Sequence, residues 1–265
     1  FPLAEKWGGW SLWALLVGVS TLLAAMPWLP PFRRAPAAVV DLPNCNGCNR
    51  CVEDCPYEAI RLVPRTDGEP FPQQAEVSPD LCVSCGICMG ACPSSTPFRR
   101  MEELRTGIDL PGQPLRDVRD GVVAASAELH GDSRVMVLAC EHGAGGGVIG
   151  GILTFPCVAM IPPSLIDYIL SRSLAEGVVV AGCSESACYN RLGVEWTKQR
   201  FAGERDPYLR KRVPRERLAT IWASPFETAR FEAEKATFAG RLAGIGKFDQ
   251  AAEASNVDEG LEVLP

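Results

Sequence analysis

The run "CNGCNRCVEDCP" (Cys45–Pro56) is repeated in spacing by "CVSCGICMGACP" (Cys82–Pro93), so eight of the chain's twelve cysteines fall in two short stretches. Each reads Cys-x-x-Cys-x-x-Cys-x-x-x-Cys-Pro. Two residues between thiolates let a tight loop wrap one corner of a metal–sulfur cube, so that three irons are reached from one piece of backbone. A disulfide framework suits small secreted domains, and a chain of 265 residues is not one. Zinc sites use two separate Cys-x-x-Cys pairs rather than a continuous run. The doubled run points to two [4Fe–4S] clusters.

Residues 39–97, including "CPYEAI" (Cys55–Ile60), resemble a bacterial-type two-cluster ferredoxin domain. In that family the fourth cysteine of each run ligates the other cluster. The resemblance therefore implies Cys45, Cys48, Cys51 and Cys92 for one cluster, and Cys82, Cys85, Cys88 and Cys55 for the other. The insert between the runs (Ile60–Asp80) alternates apolar and polar residues around Asp67-Gly68, which suits a hairpin.

Ahead of this region, Trp7–Phe32 holds no charged residue over 26 positions. As a helix it would be about 39 Å long, against a hydrocarbon core of roughly 30 Å. Trp7, Trp10, Trp13 and Trp28 lie towards its ends, where interfacial aromatics gather, and the run exceeds the apolar core of a signal peptide. The expectation is one transmembrane helix within an anchor over residues 1–34. Arg33 and Arg34 follow the run, whereas Lys6 before it is opposed by Glu5. Positive-inside then gives a single-pass protein of the cytoplasmic (inner) membrane, with its cluster domains on the cytoplasmic side. Thiolate ligands agree with a reducing compartment.

The expected fold class is α+β and α/β. A two-[4Fe–4S] ferredoxin-like domain (35–98) is followed by a connector (99–134) with a helix near Leu115–Leu129. An α/β domain (135–245) and an acidic tail (246–265) complete the chain. In the α/β part, strands are expected at Val135–Cys140, Leu153–Val158, Gly177–Cys183 and Leu218–Ser224. Helices are expected at Pro162–Leu174, Cys188–Ala202 and Pro225–Ile245. Strands alternating with helices argue for a parallel sheet.

The remaining cysteines, Cys140, Cys157, Cys183 and Cys188, all fall in this α/β domain. Three of them sit at or near strand ends, and the carboxyl ends of parallel strands gather on one edge. Four thiolates there could hold [2Fe–2S], [4Fe–4S] or zinc, or be ordinary buried cysteines. "VVVAGCSESACYNRLGVEWTKQR" (Val178–Arg200) is similar to the delta subunit of methyl-viologen-reducing hydrogenases, with the resemblance running over about 135–218. It implies a [2Fe–2S] cluster on Cys140, Cys157, Cys183 and Cys188, and electron transfer between a hydrogenase and a flavin- or cluster-bearing partner. The family often has a second cysteine soon after the first. Here "CEHGAGG" (Cys140–Gly146) has His142 instead, a conceivable ligand of Rieske type.

Two other features compete for attention. "GGGVIG" (Gly145–Gly150) spells a dinucleotide fingerprint, but it does not directly follow a strand. Arg191–Arg217 holds nine Lys/Arg against four Asp/Glu, either a solvated surface, a docking face or counter-charge to anionic clusters. The net charge of −6 argues against nucleic acid as partner, and with two histidines no catalytic constellation is visible. The sequence thus reads as a membrane-anchored iron–sulfur electron-transfer subunit of an oxidoreductase complex. Its expected partners are the lipid bilayer, a b-type cytochrome or other quinone-reactive membrane subunit, and a soluble cytoplasmic flavoprotein or iron–sulfur protein. The alternatives are a diaphorase using nucleotide or flavin, and a cluster-based redox sensor.

Overall fold

The structure, a computed structural model, describes residues 2–28, 35–95, 106–131, 133–147 and 152–246. The chain divides into two units, Phe1–Ala35 and Pro36–Pro265. The first holds α1 (Pro2–Ala25) and a 3₁₀ turn at Met26–Trp28. Among the described residues no helix is long and apolar enough to cross a membrane. This overturns the expected transmembrane helix, and with it the single-pass inner-membrane location and the bilayer contact. The physical reason lies in length: Glu5 and Lys6 fall within α1, so its uncharged part is confined to Trp7–Ala25. The helix also stops at Ala25, short of the end of the uncharged run at Phe32. Arg33 and Arg34, on which the orientation rested, lie outside the described residues, as does the tail beyond Gly246.

In the second unit, β1 (Val39–Val40) pairs antiparallel with β4 (Ile108–Asp109), so the strands entering and leaving the cysteine-rich region zip together. Between them lie α2 (Arg50–Glu53), the antiparallel hairpin of β2 (Ile60–Pro64) and β3 (Gln73–Val77), and α3 (Ile87–Ala91). The two cysteine runs share one backbone path. Two residues after the first cysteine of each run, Gly47 and Ser84 have φ of 66° and 59°. Four residues after it, Asn49 and Gly86 have φ of 70° and 74°. Glycine takes this left-handed conformation without penalty and asparagine tolerates it. Ser84 is held there by burial, with its hydroxyl donating to the Pro36 carbonyl at 2.8 Å.

After α4 (Leu115–Glu128) comes a four-stranded parallel sheet in the order β6-β5-β7-β8, built from β5 (Val135–Cys140), β6 (Ile152–Phe155), β7 (Gly177–Gly182) and β8 (Leu218–Trp222). Side chains alternate between its faces, as strand geometry requires. Met136 and Leu138 pack towards Val118 and Val122 of α4 and Leu165 and Ile169 of α5 (Pro163–Ser171). Val137 and Ala139 pack towards Phe231, Phe238 and Leu242 of α7 (Thr228–Ile245). The first of these cores runs on without a break into Met89, Ile108 and Ile60 of the cysteine-rich region. That region is thus built onto the α/β region. At the contact, α3 lies on a 3₁₀ turn at Val158–Met160. Gly90 comes so close to the Ala159 carbonyl that a Cβ there would overlap it. The sheet edge and this seam place the cysteines.

Candidate iron–sulfur site

The fourth cysteine of each run lies with the first three of the other. Cys45, Cys48, Cys51 and Cys92 line one cavity, together with Gly47, Leu62, Ala75 and Ile108. Burial pushes the Cys51 thiol up to about 12, and its neighbours Cys48, Cys92 and Cys45 add to this. In the second set, burial pushes the Cys88 thiol well up, with Cys85, Cys51, Cys82 and Cys55 adding. Burial likewise takes Cys85 to about 11, and Cys55 and Cys82 raise it further. Thiols buried together resist ionisation unless positive metal shares the space, because only the thiolate is a ligand. Backbone N–H groups point at the sulfurs: Ala75 donates to Cys45 Sγ at 3.5 Å and Ala59 to Cys55 Sγ at 3.3 Å. Such bonds stabilise a reduced, more negative cluster. Among the described residues no three or more His, Cys, Asp or Glu side chains converge tightly enough to hold a single metal ion. Cys45, Cys48, Cys51 and Cys92 line a cavity instead, and the donor chemistry of the two sets fits a pair of [4Fe–4S] clusters. Among the described residues no disulfide joins any of the cysteines.

The other four cysteines also gather. Parallel pairing of β5 and β7 brings Cys140 and Cys183 to 3.6 Å between sulfurs. The hydrogen bond to Cys140 is the largest influence raising the Cys183 thiol, and the one to Cys183 raises Cys188. A Cβ on Gly193, at the start of α6 (Gly193–Ala202), would overlap Cys157 Sγ and stand 3.5 Å from Cys188 Sγ. Glycine there leaves room for both sulfurs. Cys157 is buried, and its thiol is pushed up by burial first and then by Cys85, Cys188 and Cys183. Cys85 belongs to the second set of the cysteine-rich region, so Cys157 stands between the two groups. His142 stacks on Tyr189 with ring centroids 3.5 Å apart and sets its Nε2 3.2 Å from Glu141. The described part of "GGGVIG" is a 3₁₀ turn, Ala144–Gly147, and residues 148–151 lie outside the described ones.

In the basic stretch Arg191–Arg217, Arg200 and Arg217 are buried and Arg205 is half-buried, while the other six cations are exposed. Arg191 donates to the Pro56 carbonyl at 2.7 Å and lies over the Tyr57 ring. Tyr57 donates from its hydroxyl to Asn190 at 3.0 Å, and Asn190 donates to the Pro156 carbonyl at 3.0 Å. Asp206 accepts from Arg50 at 2.9 Å, and Asp54 pairs with both Arg200 and Arg205. The short segment 50–57 is therefore clamped by residues 190–206. Sequence reasoning missed Tyr57, Asn190 and the Asp54–Arg200 pair. The available signal was their position beside cysteines, Asp54 and Tyr57 flanking Cys55-Pro56 and Asn190 following Cys188.

What this geometry defines is an iron–sulfur protein in which a dicluster region is built onto the strand ends of a parallel α/β domain. Residues 44–96 match the family model described as a 4Fe-4S dicluster domain. Residues 150–246 match the model described as the delta subunit of methyl-viologen-reducing hydrogenase. The chain is also similar to NADH-quinone oxidoreductase subunit I of Pelobacter propionicus, 30% identical over 76 residues. That similarity covers 27% of this chain and 37% of the relative, so the chain spans little more than a third of it. Site and matches together make the chain an iron–sulfur electron-transfer subunit.

Proposed function

We propose that the chain carries single electrons through three iron–sulfur centres within a larger redox complex. Cys45, Cys48, Cys51 and Cys92 hold one [4Fe–4S] cluster and Cys82, Cys85, Cys88 and Cys55 the other. Cys140, Cys157, Cys183 and Cys188 hold a third centre, of the [2Fe–2S] type. When bound, the clusters supply the one-electron carriers; the chain supplies spacing, burial and hydrogen bonds. The observation that carries this reading is the packing of Cys85 against the buried cluster that contains Cys157. It supports a continuous series in which the second cysteine set lies between the first set and the third. The series reaches the surface at both ends, through exposed Cys48 and through half-buried Cys188 beside the exposed Tyr189.

The proposed redox partners are a quinone-reactive subunit at one end and a flavoprotein or iron–sulfur protein at the other; the likeness to a quinone oxidoreductase subunit and a hydrogenase subunit supports a redox complex. The expectation of a b-type cytochrome drew on the membrane span and loses that support. The test is Cys183→Ser in the assembled complex. Transfer from donor to acceptor fails if the third site lies on the path, while both [4Fe–4S] signals persist. Unchanged turnover places the third site off the path and overturns the serial arrangement.

A further inference from the structure

Asp54, immediately before Cys55, is 3% exposed. Arg200 is 1% exposed and donates from one terminal nitrogen to Asp54 and from the other to the Ala159 carbonyl at 2.7 Å, two residues beyond Cys157. Its Nε–H has no acceptor among the described residues. Arg205 donates to the other oxygen of Asp54 and lies over the Trp196 ring, 4.7 Å from its centroid. Trp196 in turn packs with Ile87 and Cys157, against Cys85. One carboxylate and two guanidiniums therefore sit in the seam between the second cysteine set and the third. They leave one positive charge over.

An excess charge on a partly buried group acts over distance more strongly than one at an open surface. Reduction of a cluster adds negative charge, which a nearby cation favours. We propose that the Asp54–Arg200–Arg205 group sets the reduction potentials at this seam, raising those of the cluster held by Cys55 and of the centre at Cys157 relative to the cluster held by Cys45. Arg200 is the positioning residue, because it ties the turn before Cys55 to the turn after Cys157 while supplying the charge. For the centre at Cys157 the proposal rests on the third-centre reading above; for the cluster at Cys55 it stands independently.

The experiment is a reductive titration of the anaerobically purified full chain, followed by electron paramagnetic resonance. Arg200→Met removes a positive charge and lowers the seam potentials. Asp54→Asn removes the negative charge and raises them. Arg200→Lys keeps the charge and stays near the parent. Each neutralising change moves the seam centres by about a tenfold change in reduction equilibrium, about 59 mV for one electron, and leaves the cluster held by Cys45 least affected. Shifts of the same sign in Arg200→Met and Asp54→Asn, or none relative to the cluster held by Cys45, overturn the proposal. If Arg200→Met does not fold, the half-exposed Arg205→Gln replaces it, with a downward shift expected and an upward or absent one overturning. If the parent shows two centres only, the third-centre reading fails, and the same opposite-sign criterion decides the proposal on the cluster held by Cys55.

Discussion

Cys140 and Cys183 are 43 residues apart in sequence, yet their sulfurs lie 3.6 Å from each other because β5 and β7 run side by side. None of the eight cysteines of the dicluster region lies in either strand. Cys183→Ser is therefore expected to lower the iron content of the anaerobic chain from about ten to about eight, the sum for two [4Fe–4S] clusters. Iron analysis with spectroscopy checks this. A parent with about eight irons and one zinc would remove iron from the third site.

The crossing of the fourth cysteines makes a sharper test. Cys55 stands in the first run but lies with Cys85 and Cys88 of the second. Cys55→Ala is expected to abolish or convert the cluster of Cys82, Cys85 and Cys88, and to spare that of Cys45, Cys48 and Cys51. Cys92→Ala does the reverse. Loss of the same signal in both variants would show that each run serves its own cluster.

At the seam, Gly90→Ala puts a methyl group into the space of the Ala159 carbonyl. Overpacking of this kind costs about 1–3 kcal/mol, and about 2–4 °C in melting temperature per kcal/mol for a domain of this size. Thermal melts of the cluster-loaded chain, followed by cluster absorbance and by circular dichroism, are expected to shift down together. An unchanged melt would mean that the seam yields without cost.

The iron-free chain should lose stability as pH rises. Burial holds the Cys51 proton from the ordinary 9.0 up to about 12, and that of Cys85 up to about 11. Above pH 9 the unfolded chain releases protons that the folded chain keeps, so the unfolded state is favoured progressively through that window. Urea midpoints of the iron-free chain are expected to fall between about pH 8.5 and 11. The loaded chain, whose ligands are already thiolates, is expected to show a shallower decline. Parallel curves would mean that the thiols do not govern the difference.

The cysteine spacing and the β-strand runs made much of the second unit legible. "VMVLAC" and "GVVVAG" are strands because apolar β-branched runs of that length bury both faces, and the thiols at their ends meet by topology. The amino-terminal segment misled because the uncharged run Trp7–Phe32 read as one long helix, whereas α1 ends at Ala25 and its first turns carry Glu5 and Lys6. Most of the basic stretch is exposed, as its solvated-surface reading had it. Within it, Arg200 and Arg205 look like surface residues by type, and contact with Asp54, 146 and 151 positions earlier, buries the first and half-buries the second. No local pattern encodes a partner at that separation.

That separation also orders events during synthesis. Asp54 is paired with Arg200 and Arg205, so the ribosome must add at least 146 further residues after it before the seam can close. All eight cysteines of the dicluster region have emerged by then, flanked by strands β1 and β4 that can already pair. Iron and sulfide delivered to the nascent chain would meet thiols still open to water, whereas in the folded chain Cys51 and Cys88 are buried.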